Sequence, residues 1–149
     1  MTDSQYYAHR WLSRMWDKDI EIEQLIVRRD VIVASMSGIG KYDAEHIPTQ
    51  NGENPTETKN IEYSILSEQI EKKTIELANE NIKTWQVIVN VENTTLRGML
   101  IARYINRKSW TEIGKLYNYS KSRAFDYRKI ALDTVYPFIP KEPVDKTLD

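Results

Sequence analysis

The sequence predicts an all-α protein: a long antiparallel helical hairpin followed by a C-terminal helix-turn-helix domain. Three observations predict it. Only 5 of the 149 residues are Gly and 5 are Pro, so few positions oppose helix. Apolar residues recur at steps of three and four along two long stretches. Near the C-terminus, Ser109 and Ser120 each stand just before a short run of helical periodicity, where a helix cap belongs.

From Ser4 to Met36 there is no Gly or Pro, and the stretch predicts one helix. Leu12, Met15, Ile22, Ile26, Val33 and Met36 form its apolar stripe, widened by Trp11, Trp16, Leu25 and Ile32. Such a helix would be roughly 50 Å long at about 1.5 Å per residue, so it needs a partner. Residues 37–57, which contain three Gly together with Pro48 and Pro55, predict a loop. A second helix begins near Thr56 and carries Tyr63, Leu66, Ile70, Leu77, Trp85 and Ile88. Two such helices joined by a loop predict a hairpin of coiled-coil type over 1–92, with a hinge at Asn90–Asn93. The stripes exceed what one hairpin covers, and four Trp suggest interface anchors. A homodimer is therefore expected, through Trp11, Met15, Ile22, Leu25, Ile26, Ile32 and Val33.

Composition excludes several classes. With no Cys, disulfide scaffolds, zinc fingers, iron–sulfur sites and thiol nucleophiles are ruled out. His9 and His46 lie far apart, and no metal or cofactor is expected. The start lacks a signal-peptide pattern and no stretch is apolar enough for a membrane span, so a cytoplasmic protein is expected. Gly38-Ile39-Gly40-Lys41 lacks the full phosphate-loop spacing, and Asp17, Asp19, Glu21 and Glu23 lack the Gly and the final Glu of a calcium loop. No Ser/His/Asp group or paired-carboxylate site stands out, so no enzyme activity is expected.

Charge is divided unevenly. Residues 1–94 hold 10 Lys+Arg against 16 Asp+Glu, a balance of −6. Residues 95–141 hold 10 against 3, a balance of +7, and residues 142–149, expected to be a flexible tail, hold 1 against 3. A basic block on an acidic chain suits a segment that meets a polyanion, although a solvated basic face gives the same signal.

The basic block, 93–141, also carries the motif. Thr95–Ile105 predicts one helix burying Leu96, Met99, Leu100 and Tyr104. Ser109-Trp110-Thr111-Glu112 has the form of a capping box and starts a short helix through Leu116. Tyr117-Asn118-Tyr119 predicts a tight turn, with Asn118 able to go left-handed. Ser120 caps a third helix that ends before Pro137 and Pro140. Ile113, Leu116, Ala124, Tyr127 and Leu132 fall where a helix-turn-helix packs its own core. Lys121, Ser122, Arg123, Phe125, Asp126 and Lys129 then face outward, with Arg128, Lys108 and Ser109 completing the candidate DNA-binding set. Arg123 stands on the first turn, where a guanidinium can reach a guanine edge.

This segment resembles sigma-factor region 4 in Arg103-Tyr104, Ser109-Trp110-Thr111-Glu112-Ile113-Gly114, Tyr119-Ser120 and Ala131-Leu132. The whole order, including the tyrosine-rich Gln5-Tyr6-Tyr7, is similar to ArpU/RinA-type late transcription regulators of phages of Gram-positive bacteria. Gly114 stands where region 4 usually has Ala, and Phe125-Asp126 replaces a more polar or basic pair. The resemblance implies a phage or prophage regulator acting on double-stranded DNA in a host bacterial cell, with RNA polymerase or another host protein as a further partner. Two rivals are a protein-binding module, such as an inhibitor or adaptor of a host nucleic-acid enzyme, and a DNA-packaging or recombination accessory protein.

Overall fold

A computed structural model describes residues 1–36 and 55–141, and every regular element in it is helical. The helices are α1 (Asp3–Leu12), α2 (Trp16–Met36), α3 (Pro55–Ile88), α4 (Thr94–Leu100), α5 (Trp110–Leu116) and α6 (Lys121–Val135). A π-helical turn, Ile101–Ile105, extends α4, and a 3₁₀ turn, Tyr136–Phe138, follows α6. None of these helices is long and apolar enough to cross a membrane. Most of the expected loop at 37–57, and the expected tail at 142–149, lie outside the described residues; Pro55–Glu57 already belong to α3, with Pro55 at its first position.

The single helix expected over 4–36 is broken at Ser13–Met15. No Gly or Pro breaks it; side chains do. The Ser13 hydroxyl donates to the His9 carbonyl at 2.7 Å, and Arg14 Nη1 donates to the Trp11 carbonyl at 2.8 Å. The same guanidinium stacks on the Trp11 ring and bonds Glu80 and Thr84 of α3. Ser13 N still donates to the His9 carbonyl at 3.0 Å, while Arg14 N turns to the Trp11 carbonyl at 3.3 Å, so the side-chain bonds add to a tightened last turn of α1.

The chain divides into two units, and the division differs from the expected one of 1–92 and 93–141. One unit joins residues 1–14 to residues 80–149; the other is Met15–Asn79. In the second, three cross-pairs fix an antiparallel hairpin: Lys18–Glu76 at 3.1 Å, Glu21–Lys73 at 2.9 Å and Arg28–Glu62 at 2.9 Å. Each step up α2 is matched by a step down α3. Met15 just before α2, Ile22 and Ile32 of α2, and Leu66 and Ile70 of α3 are buried, and they lie on the faces that these ion pairs border.

The first unit is built around α6. Helix α1 starts with a complete capping box: the Thr2 hydroxyl accepts from Gln5 N, and Gln5 Oε1 accepts from Thr2 N at 2.9 Å. It packs on α6 and on the 3₁₀ turn. Gln5 Nε2 donates to Asp133 Oδ2 at 3.0 Å, and Tyr7 meets Tyr136 edge-on. The Tyr7 hydroxyl donates to the Pro140 carbonyl at 3.1 Å. The core comprises Leu12, Ile88, Val91, Met99, Leu100, Tyr104, Ile113, Leu132 and Val135, all essentially inaccessible to solvent. Leu96, Met99, Leu100 and Tyr104 are buried as the sequence predicts, but the helix carrying them is not uniform. Asn106 N reaches back five residues to Ile101 O, which widens the last turn into a π-helix. Arg107, left-handed at φ 59°, then turns the chain towards α5.

Candidate nucleic-acid interface

The two helices and the turn between them form where local chemistry predicts. The Ser109 hydroxyl accepts from Glu112 N at 3.1 Å and starts α5. At the other end Tyr117 closes α5, and Asn118 adopts φ 58°. Tyr119 N then returns to Gly114 O at 2.7 Å, so the turn bonds back onto the helix it leaves. Ser120 takes the Arg123 N–H at 3.1 Å and starts α6.

Gly114 of α5 lies close against Ala124 of α6. A Cβ there would stand 3.3 Å from both the Ala124 Cβ and the Tyr119 carbonyl, so a small residue is required. Gly98 of α4 has a similar role against the tip of the Tyr117 ring, which occupies the place of its missing side chain.

Most of the residues expected outside are outside. Lys121, Ser122, Arg123, Asp126 and Lys129 are exposed on α6, Phe125 is 39% exposed, and Lys108 and Ser109 are exposed before α5. One expectation needs correction, and one residue is less open than its neighbours. Leu116, expected in the core, is 61% exposed, because the turn that begins at Tyr117 leaves it on the outer side of α5. Arg128, expected with the DNA-binding set, is half-buried with its Nε shut away from solvent. Its charge also acts on His9 and Tyr104.

That neighbourhood is electrostatically tuned. The Tyr104 hydroxyl lies 2.8 Å from His9 Nδ1. Burial pushes the tyrosine up to about 12, against the opposing pull of Arg128 and Arg103. Burial, with the positive charges of Arg128 and Arg103, holds His9 below its ordinary value, so the neutral imidazole is favoured as the tyrosine's partner.

Sequence reasoning missed an aromatic stack at the turn. The Tyr119 and Tyr127 rings are parallel within 5° with centroids 4.8 Å apart, and Tyr117 continues the stack at 6.0 Å. The Arg123 guanidinium lies 4.5 Å from the Tyr119 ring centroid. Hydrogen bonds from Arg123 and Tyr119 lower the Tyr127 hydroxyl from its ordinary value, and the Tyr127 bond raises Tyr119. The eight-residue step from Tyr119 to Tyr127 was the available signal, but it crosses from turn into helix and fits neither periodicity.

The expected dimer-face residues are mostly enclosed by the chain's own packing. Met15, Ile22 and Ile32 are buried in the hairpin, Leu25 and Ile26 are half-buried, and Trp11 is half-buried beneath Arg14 in the other unit. Val33, at 42% exposure, is the open one among them.

Fold and geometry thus define an all-α chain with a capped helix-turn-helix whose outward residues include Lys108, Lys121, Arg123 and Lys129. Over residues 54–135, more than half of its length, the sequence matches the family described as a protein of unknown function (DUF1492), and the chain belongs to that family. No curated protein and no solved structure matches it.

Proposed function

We propose that this protein is a sequence-specific double-stranded DNA-binding transcriptional regulator of a phage or prophage, acting in late-gene control. The observation that carries the reading is the start of α6. Its capped first turn exposes Lys121, Ser122 and Arg123, and Arg123 is braced on the Tyr119–Tyr127 pair. A narrow, basic helix start suits insertion into the major groove, and a braced guanidinium loses less freedom on bonding a base. The +7 balance of residues 95–141 adds a sequence-independent attraction to phosphate. The ArpU/RinA-type resemblance supplies the phage and late-gene context, with RNA polymerase or another host protein as a further partner in the host cytoplasm. One observation favours a second reading, a protein-binding module: Leu116 and Phe125 expose apolar surface on the helix-turn-helix.

The test is selection of duplexes from random DNA by the full-length protein, followed by titration at several salt concentrations. Arg123→Ala should cost roughly 1–3 kcal/mol of discrimination at one base position. Lys129→Ala should weaken all sequences alike and flatten the log–log salt slope by about one unit. If both variants keep full affinity and an unaltered base preference while circular dichroism is unchanged, this helix does not read DNA. The protein-binding reading then takes its place.

A further inference from the structure

Within the Met15–Asn79 unit, the apolar residues of α3 occupy two faces. Leu66 and Ile70 are buried on the hairpin side. Ile61, Ile65 and Ile75 are 56%, 51% and 56% exposed. The outer stripe runs Ile61, Ile65, Glu68, Lys72, Ile75, Asn79, in alternating steps of four and three, with every member exposed. A stripe of that mean period of 3.5 is what a second helix can follow, and a monomer that already uses the opposite face gains nothing from it.

We propose that this outer face of α3 is a two-fold, antiparallel interface with a second copy of the chain, centred level with residue 70. The argument is self-complementarity. With two α3 helices antiparallel about that level, Ile65 of each faces Ile75 of the other, and Glu68 of each faces Lys72 of the other. Both pairings occur twice by symmetry, as an isologous contact requires. A slip of one heptad one way sets Ile65 against Glu68 and Ile61 against Lys72. The opposite slip sets Ile75 against Lys72. A parallel pair sets Glu68 against Glu68 and Lys72 against Lys72, which repel. Of these arrangements, the antiparallel register about residue 70 alone sets Ile65 against Ile75 and Glu68 against Lys72 together, with Ile61 beside Asn79 at each end. The outer face of α2 also exposes Ile20, Val27 and Val31, but its stripe has no opposed charges to set a register. The interface lies on the hairpin alone and does not depend on the DNA-binding reading.

The test uses the full chain, which has no Cys of its own. Light scattering should give twice the 17.5 kDa chain mass. Glu68→Lys should weaken the dimer about tenfold or more by placing Lys opposite Lys, and so should Lys72→Glu with Glu opposite Glu. The combined Glu68→Lys/Lys72→Glu variant should restore it, since the opposed pairs return with signs exchanged. On mild oxidation, a mixture of Ile65→Cys and Ile75→Cys chains should cross-link. Either variant alone should not, because its thiols would be roughly 15 Å apart along the axis. Val27→Ser/Val31→Ser, on the outer face of α2, should leave the mass unchanged. A wild-type monomer at high concentration would overturn the proposal, as would a double charge exchange that fails to restore the dimer while helicity is intact. So would dissociation by the α2 variant.

Discussion

The two units of this chain enclose their apolar residues to different degrees. In the unit of residues 1–14 and 80–149, Leu12, Ile88, Met99, Leu100, Ile113, Leu132 and Val135 have no accessible surface. Among the described residues of the Met15–Asn79 hairpin the most buried, Ile32, retains 3%, and Leu66 and Ile70 retain 8%. The physical reason is the number of directions from which neighbours arrive. Around α6, the helices α1, α4 and α5 come from separate parts of the sequence and close on one centre. Two helices lying side by side can cover only the seam between them, and their outer faces stay open. Both units expose large apolar side chains, Leu116 and Ile130 in the first and Ile61 and Ile65 in the hairpin. The comparison teaches that a centre reached from several directions closes completely, whereas a two-helix seam does not.

Cavity formation should separate the two most clearly. Leu132→Ala should cost about 2–5 kcal/mol of stability in urea unfolding, because nothing around α6 can move in to fill the space. Leu66→Ala, at a seam open along one side, should fall at or below the bottom of that range, since its surroundings can relax. Equal losses would mean that the hairpin is as tightly enclosed as the first unit.

Acid provides a second separation. The folded value of His9 lies below its ordinary 6.5, so the unfolded chain takes up a proton first as pH falls. Stability of the first unit from this source is complete above about 6.5 and declines below it, towards the lowered folded value. Thermal melts between pH 7.5 and 5 should show this decline, and His9→Gln should flatten it. A decline that persists in the variant would assign it to other groups.

The smallest effect is expected at the hairpin's ion pairs. Arg28 and Glu62 keep 57% and 39% of their side-chain surface exposed, so Arg28→Ala should cost less than about 1 kcal/mol. It should cost less still in high salt. A larger loss in denaturant titration would mean that these pairs, rather than the apolar seam, hold the hairpin.

Where local rules decide, the sequence was readable. Ser109 and Ser120 cap, Asn118 turns left-handed, and Leu96, Met99, Leu100 and Tyr104 go inside. Each depends on a residue and its neighbours within about one turn. Within the candidate site, the outward set Lys121, Ser122, Arg123, Phe125, Asp126 and Lys129 was legible for the same reason, because cap and helical phase fix which side faces out. Arg128 was not, because its surroundings come from His9 on α1 and Arg103 and Tyr104 on the π turn. Nor was the bracing of Arg123, which needs Tyr119 and Tyr127 to stack across a turn.

The sequence by itself determined the helical class, the caps, the two-helix hairpin, the turn at Asn118 and the basic character of the C-terminal block. All of these follow from periodicity, capping chemistry and charge, which act over a few residues. Tertiary structure alone decided that α1 leaves the hairpin helix at Ser13–Met15 and docks on α6, through contacts such as Gln5 with Asp133. It also decided that Met15, Ile22 and Ile32 close the hairpin's own seam, leaving Ile61, Ile65 and Ile75 open. A helical stripe states that a face will be covered but not by which surface, because that choice depends on groups brought together from far along the chain.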